Sequence, residues 1–165
     1  CGDSTWNGDS IETFIAPGEA NPTAWMETDV SAAGGMYMAA ISGNGDSYGS
    51  AEALSQSGAG QCDIRGIEYA AQMTNTGYVV NLQLPWHHFV NMDQFADELA
   101  AYREFPPRVW RANFYRTNFF NSGQRNPQDF YAWNPTVANG QGASFHKPYE
   151  FGTMRLVDAP PGGGH

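Results

Sequence analysis

The sequence predicts an all-β domain, an antiparallel β-sandwich of jelly-roll type with one α-helix inserted near residues 92–105. Three observations carry this. Apolar and polar residues alternate over several short runs, the period of a half-buried strand. Gly, Asn, Ser and Pro separate those runs, a texture that suits strands and turns better than a helical bundle. An apolar fraction of 41% and an aromatic fraction of 14% supply material for a core, which disordered chains lack. At 165 residues the chain holds one sizeable domain, placed at 1–157. Residues 158–165, ending in "PPGGGH", read as a flexible tail or the remnant of a tag.

The elements follow in order. In "SIETFIA" (10–16), Ile11, Thr13 and Ile15 share one face of a strand, and Glu12 and Phe14 the other. "TAWMETDV" (23–30) and "GMYMAAI" (35–41) form a hairpin across "SAAG". Residues 42–61 are rich in Gly and Ser and read as a long surface loop. "IRGIEYAAQM" (64–73) and "GYVVNLQLPW" (77–86) form a second hairpin around "TNT". Pro85 ends its ladder because it has no N–H to donate. In "MDQFADELAAYREF" (92–105), Phe95, Leu99 and Tyr102 recur at helical spacing until Pro106 and Pro107 stop them. "RVWRANFYR" (108–116) is the clearest strand, with Trp110 expected in the core, and "FGTMRLV" (151–157) is the last.

Charge narrows the partners. The net charge is −9, and residues 1–82 hold ten acids against one base, Arg65. Such a field repels phosphate backbones and anionic headgroups, which argues against nucleic acid and membrane partners. No apolar run approaches the roughly 20 residues that span a bilayer. Poverty in lysine, abundance of Gly, Asn and Trp, and two cysteines suit a secreted, extracellular protein. The chain begins at Cys1 without an initiator Met, as a processed product or an incomplete record would. Cys1 and Cys62 are expected to pair and close a long loop, worth roughly 2–4 kcal/mol. The alternative is two reduced thiols.

The chemistry-bearing residues form no catalytic constellation. Adjacent His87 and His88 point to opposite sides of a strand, so they do not share one metal, and His146 is far away in sequence. No G-x-S-x-G frames a serine. A carboxylate pair such as Glu12 and Glu68 has the residue types of a glycosidase but no spacing that marks it. "CGDS" (1–4) and "NGDS" (44–47) lack the ligand alternation of a calcium loop. The aromatics say more, since a flat ring offers an apolar face to the C–H side of a sugar. Trp6 in "STWNGDS" and Trp133 in "YAWNPT" stand among polar and turn residues, where a platform and a core-edge cover are equally reasonable.

Four segments in order, "WNGDSIETFIAP", "GYVVNLQLPW", "VWRANFYR" and "WNPTVANGQGASFHKPYEFGTMRL", resemble the signatures of the family 9 carbohydrate-binding-module-like domains over residues 6–157. The family pattern is D-x-I-E-x-F, a strand ending in hydrophobic-Pro-Trp/Phe, W-R-x-N-F-x-R, and W-[SN]-P-T…F-H-x-P…F-G-x-[LM]. The resemblance implies a secreted β-sandwich that binds sugar without catalysis, needs no catalytic cofactor and is compatible with structural calcium. By motif position it implies a ligand set of Trp6, Glu12, Trp133 and Asn134, with the sugar held between the tryptophans. Trp110, Arg111, Asn113, His146 and Pro148 would be structural, with Phe151 helping to fix the return to the last strand.

Two departures stand beside it. "GMYMAAI" lacks the Arg or Asn that sugar-binding members place there, and the chain starts almost on the first motif, as if N-terminal strands were missing. These departures favour a second reading, a structural unit of an extracellular coat or filament that kept the fold and lost the sugar. Such a unit would associate with another chain through an open sheet edge. A third reading is a haem-binding electron carrier. Met36, Met38, Met73, Met154, His87, His88 and His146 supply its ligand types without fixed spacing.

Overall fold

The structure is a computed structural model that describes residues 5, 8–43, 48–53, 66–86, 89, 107–119, 128–136 and 145–157. Trp6, Cys1, Cys62, His87, His88, the segment 92–105 expected as a helix and the tail 158–165 lie outside the described residues, as do "CGDS" and "NGDS". The described residues form an all-β antiparallel fold. Its strands are β1 (Ser10–Pro17), β2 (Ala24–Ser31), β3 (Met36–Gly43), β4 (Tyr48–Ala53), β5 (Glu68–Thr74), β6 (Gly77–Gln83), β7 (Val109–Phe119), β8 (Gln128–Ala132) and β9 (Gly152–Arg155).

Seven strands make one sheet in the order β4-β3-β2-β1-β7-β8, and β9 also pairs with β7. Strand β7 is long enough to take both partners: Val109–Ala112 face β9, and Tyr115–Phe119 face β8. The β2–β3 turn needs Gly34, whose φ of +87° a side chain would resist. Ser31 closes that turn by accepting the Gly35 N–H on its Oγ at 2.8 Å. Strands β5 and β6 form a separate hairpin.

The expected loop at 42–61 contains strand β4, which corrects the sequence reading for residues 48–53. Gly and Ser have low intrinsic strand preference, but the ladder with β3 outweighs it. Strand β8 was also unmarked, because its five residues run straight into the turn at Trp133 and Asn134.

Both faces of the large sheet are covered over its centre. On the first face, Met26, Val30, Met36, Met38 and Trp110 pack with Ile67 and Phe89, while Tyr69, Ala71, Val80 and Leu82 of the hairpin lie against them. The Tyr78 hydroxyl donates to the Ser10 carbonyl at 3.0 Å and pins the hairpin to β1. On the second face, Phe14, Trp25, Ile41, Tyr115 and Phe151 form another core, with Tyr37 and Phe145 beside it. Segment 145–151 lies across this face, including a 3-10 turn at Pro148–Glu150. Phe14 and Trp110 are thus covered by the chain's own residues. Among the described residues no helix is long and apolar enough to cross a membrane.

Candidate functional site

Two features of the large sheet carry chemistry, and they lie on opposite faces. The first is buried. Residues of period two on β1 and β2 put Glu12, Glu27 and Asp29 on the second face, and register sets Glu12 directly opposite Asp29. Their carboxylate oxygens lie within 4.8 Å of one another. All three side chains are buried, Asp29 completely. Thr117 on β7 donates to Glu12 Oε1 at 3.0 Å, and Thr5 donates to Asp29 Oδ2 at 3.3 Å. Among the described residues, Asp29 Oδ1 has no hydrogen-bond partner.

Like charges set opposite each other in a low-dielectric interior are unfavourable as anions. Burial, with the Glu12 charge adding to it, pushes Glu27 up to about 8. Asp29 is raised well above the usual carboxylate range by burial, then by Glu27 and Glu12, against the opposing bond from Thr5. Burial also raises Glu12, while Thr117 and Ser10 pull it back. No Lys or Arg among the described residues pairs with any of the three.

The second feature is exposed. Strand β8 presents Tyr131 opposite Arg116 of β7, and the chain then bends at Trp133. The Trp133 indole meets the Phe114 ring edge-on at 5.6 Å, and its backbone N–H donates to the Phe114 carbonyl at 2.9 Å. It lies so close to β9 that a Cβ at Gly152 would stand 2.6 Å from its Cζ3. Gly152 is therefore the residue that lets the indole settle there. Even so, Trp133 remains 53% exposed and Tyr131 52%. The Arg116 guanidinium sits 5.6 Å from the Tyr78 ring and 5.7 Å from the Tyr131 ring, held as a cation between two π faces. Phe114 and Arg116 alternate with Tyr115 on β7, so this aromatic strip belongs to the first face.

The family model for carbohydrate family 9 binding domain-like proteins matches residues 2–159. The chain belongs to that family. A crystal structure from Bacteroides uniformis ATCC 8492, of a protein provisionally named carbohydrate-binding, has a similar fold, with a TM-score of 0.58 at 14% identity. The likeness covers 93% of this chain and 63% of that one, so the present chain spans less than two thirds of its length. No curated protein matches the sequence.

Within this family 9-like domain, the residues implied as ligand contacts part company. Trp133 lies outside on the first face, whereas Glu12 is buried on the second. Asn134 is tied into the frame: its N–H donates to Asn113 Oδ1 at 2.9 Å, and its side-chain amide donates to the Glu150 carbonyl. Asn113 in turn donates to the Asn134 carbonyl at 2.8 Å and to the Tyr115 hydroxyl at 2.9 Å. This clasp turns the chain from β8 toward segment 145–151. Glu68 is exposed on β5, away from Glu12, so those two carboxylates form no pair.

Of the remaining motif residues, Trp110 belongs to the first core and the others position the second. Trp110 donates its indole N–H to the Pro107 carbonyl at 2.7 Å, and Arg111 donates to the Tyr149 carbonyl at 3.2 Å. His146 stacks on Phe14 with ring centroids 5.1 Å apart, and burial lowers its pKa to about 4, so it packs as a neutral ring. Pro148 starts the 3-10 turn, and Phe151 packs between Phe14 and Trp25. The acids Glu27 and Asp29 went unmarked in the sequence. Their signal was "E-x-D" inside an otherwise apolar strand, which places two carboxyls on one face.

Proposed function

We propose that this domain is a non-catalytic carbohydrate-binding module that uses the outer face of Trp133 as its sugar platform. The observation that carries the reading is a large indole left half in solvent although Phe114 and Gly152 hold it in place. A pre-positioned ring loses little freedom on binding, so stacking against a pyranose is less offset by ordering. Family membership supports carbohydrate as the ligand class, since modules of this kind bind rather than transform. Arg116, Asn118 and the Tyr131 hydroxyl lie on the platform's face along β7 and β8, and they take the hydroxyl-binding role that the motif gave to Glu12. An acidic, lysine-poor composition suits an extracellular setting for this role. Trp6 as a second platform belongs to the same reading.

The test is binding of the purified domain to a panel of soluble oligosaccharides and insoluble polysaccharides. Trp133→Ala should weaken the best ligand by about 1–3 kcal/mol, the usual cost of removing an aromatic anchor. Undiminished binding by that variant would remove Trp133 from the site, and failure of the whole panel would count against carbohydrate itself.

A further inference from the structure

Given carbohydrate binding at Trp133, on which this step rests, we propose that the ligand is an acidic saccharide, with Arg116 as counter-ion to a carboxylate on the sugar unit next to the stacked one. Arg116 is exposed, and two rings fix its guanidinium, at 5.6 Å from Tyr78 and 5.7 Å from Tyr131. Among the described residues no carboxylate pairs with it. The chain has 17 acids for 8 Lys and Arg, so acids to pair with are plentiful, and this cation is held apart from them. Its hydrogen bonds use little of its capacity. Nη2 donates to Asn118 Oδ1 at 3.4 Å, longer than the usual range, and the Tyr78 hydroxyl accepts a second bond. A guanidinium has five N–H donors, so donors remain for a carboxylate, whose shape matches the fork.

Position sets which sugar unit carries the charge. Trp133 lies beside Phe114 and leans toward Gly152, which pairs with Ala112, two residues back on β7. Arg116 lies two residues in the other direction, opposite Tyr131. Two residues of strand span roughly 7 Å, so the cation is displaced from the indole by about one sugar ring or more. A saccharide stacked on Trp133 therefore brings its neighbouring unit over Tyr131 and Arg116. Tyr131 offers that unit a second flat face, half in solvent, and Arg116 offers the charge.

The local charge admits an anion although the chain is acidic. The net charge of −9 comes from residues 1–82, with ten acids and one base, whereas residues 83–165 hold seven of each. Strands β7, β8 and β9 belong to the second half, and β7 carries Arg111 and Arg116 and no acid. At physiological salt the field of acids farther away than about 8 Å is largely screened. A polyanion would still extend into that field and be repelled. The ligand that fits is a mostly neutral glycan with a uronate unit, rather than a densely sulfated or phosphorylated one.

The experiment measures, by calorimetry, binding of uronate-containing oligosaccharides to the purified domain, each beside the same oligosaccharide with its carboxylates reduced to alcohols. The acidic member should bind about tenfold tighter or more, the scale of one hydrogen bond to a charged group, and the ratio should shrink as salt rises. Arg116→Gln should bring the ratio close to one. Arg116→Lys keeps the charge without the fork and should retain part of it. Trp133→Ala should weaken both members and keep the ratio. Equal or weaker binding of the acidic member, or a ratio that survives Arg116→Gln, would overturn the acidic class and leave the platform in place. Absence of binding to either member, with neutral oligosaccharides silent too, would overturn the platform and the acidic class together.

Discussion

The two faces of β7 present opposite solutions to the placement of polar and aromatic groups. On its first face, Phe114 and Arg116 support an indole and a tyrosine that remain half in solvent. On its second, Asn113, Tyr115 and Thr117 are buried, and every polar atom they own serves a neighbour. The outer face spends little of the fold's stability and is open to a ligand of changing shape. The inner face holds groups that cost free energy unless they are satisfied, so its polar atoms are fixed by their neighbours. Surface aromatics and buried carboxylates thus set one face open to solvent and the other closed to it.

The largest expected effect breaks the inner face. Phe14 is fully buried among His146, Tyr115 and Phe151, and Phe14→Ala should destabilise the domain by about 3–5 kcal/mol. Trp133→Ala should cost much less stability because its ring is half exposed. Urea denaturation of the two variants side by side checks the contrast, and equal losses would erase it.

Next comes the pH dependence of the domain's stability. Glu27 has an ordinary carboxylate pKa in the unfolded chain and about 8 when folded, so the native state binds more protons between those values. The stabilising contribution is therefore full below the unfolded pKa and lost as pH rises through the folded one. Stability should fall from pH 5 to pH 8.5 by on the order of 2–4 kcal/mol. In Glu27→Gln most of that slope should vanish. A curve that rises over this interval would mean that the carboxyls are ionised and otherwise compensated.

The smallest effect sharpens the outer face. Gly152→Ala places a methyl against the indole, so Trp133 must shift. Stability should change by about 1 kcal/mol or less, as for a partly exposed site that can yield. Sugar affinity should nevertheless drop, and Trp133 fluorescence should change. Unaltered affinity would show that the ring's position is immaterial.

The contrast between faces also explains what the sequence disclosed. Strands β1, β6 and β7 were legible because their alternation matches the pleat, and Trp110 in such a strand read correctly as buried. Strand β2 was legible as a strand but not in its polarity. It is central and covered on both faces, so Glu27 and Asp29 are buried where alternation assigns acids to water. Strand β4 was hidden because Gly and Ser signal a loop, and only its pairing with β3 reveals it. At the candidate site, motif order marked Trp133, Asn134 and Glu12 together. The pleat then separates them, since neither motif spacing nor residue type records which face a side chain takes.

The central claim is that carbohydrate meets the first face at Trp133 while the second face stays closed to it. Each tryptophan contributes one indole N–H resonance to a nitrogen-correlated NMR spectrum, so titration with the best-binding oligosaccharide reads the faces separately. Saturable shifts of the Trp133 indole, with the fully buried Trp25 indole unmoved, are the predicted result. Shifts at Trp25 with Trp133 unmoved would place the sugar on the carboxylate face and contradict the account.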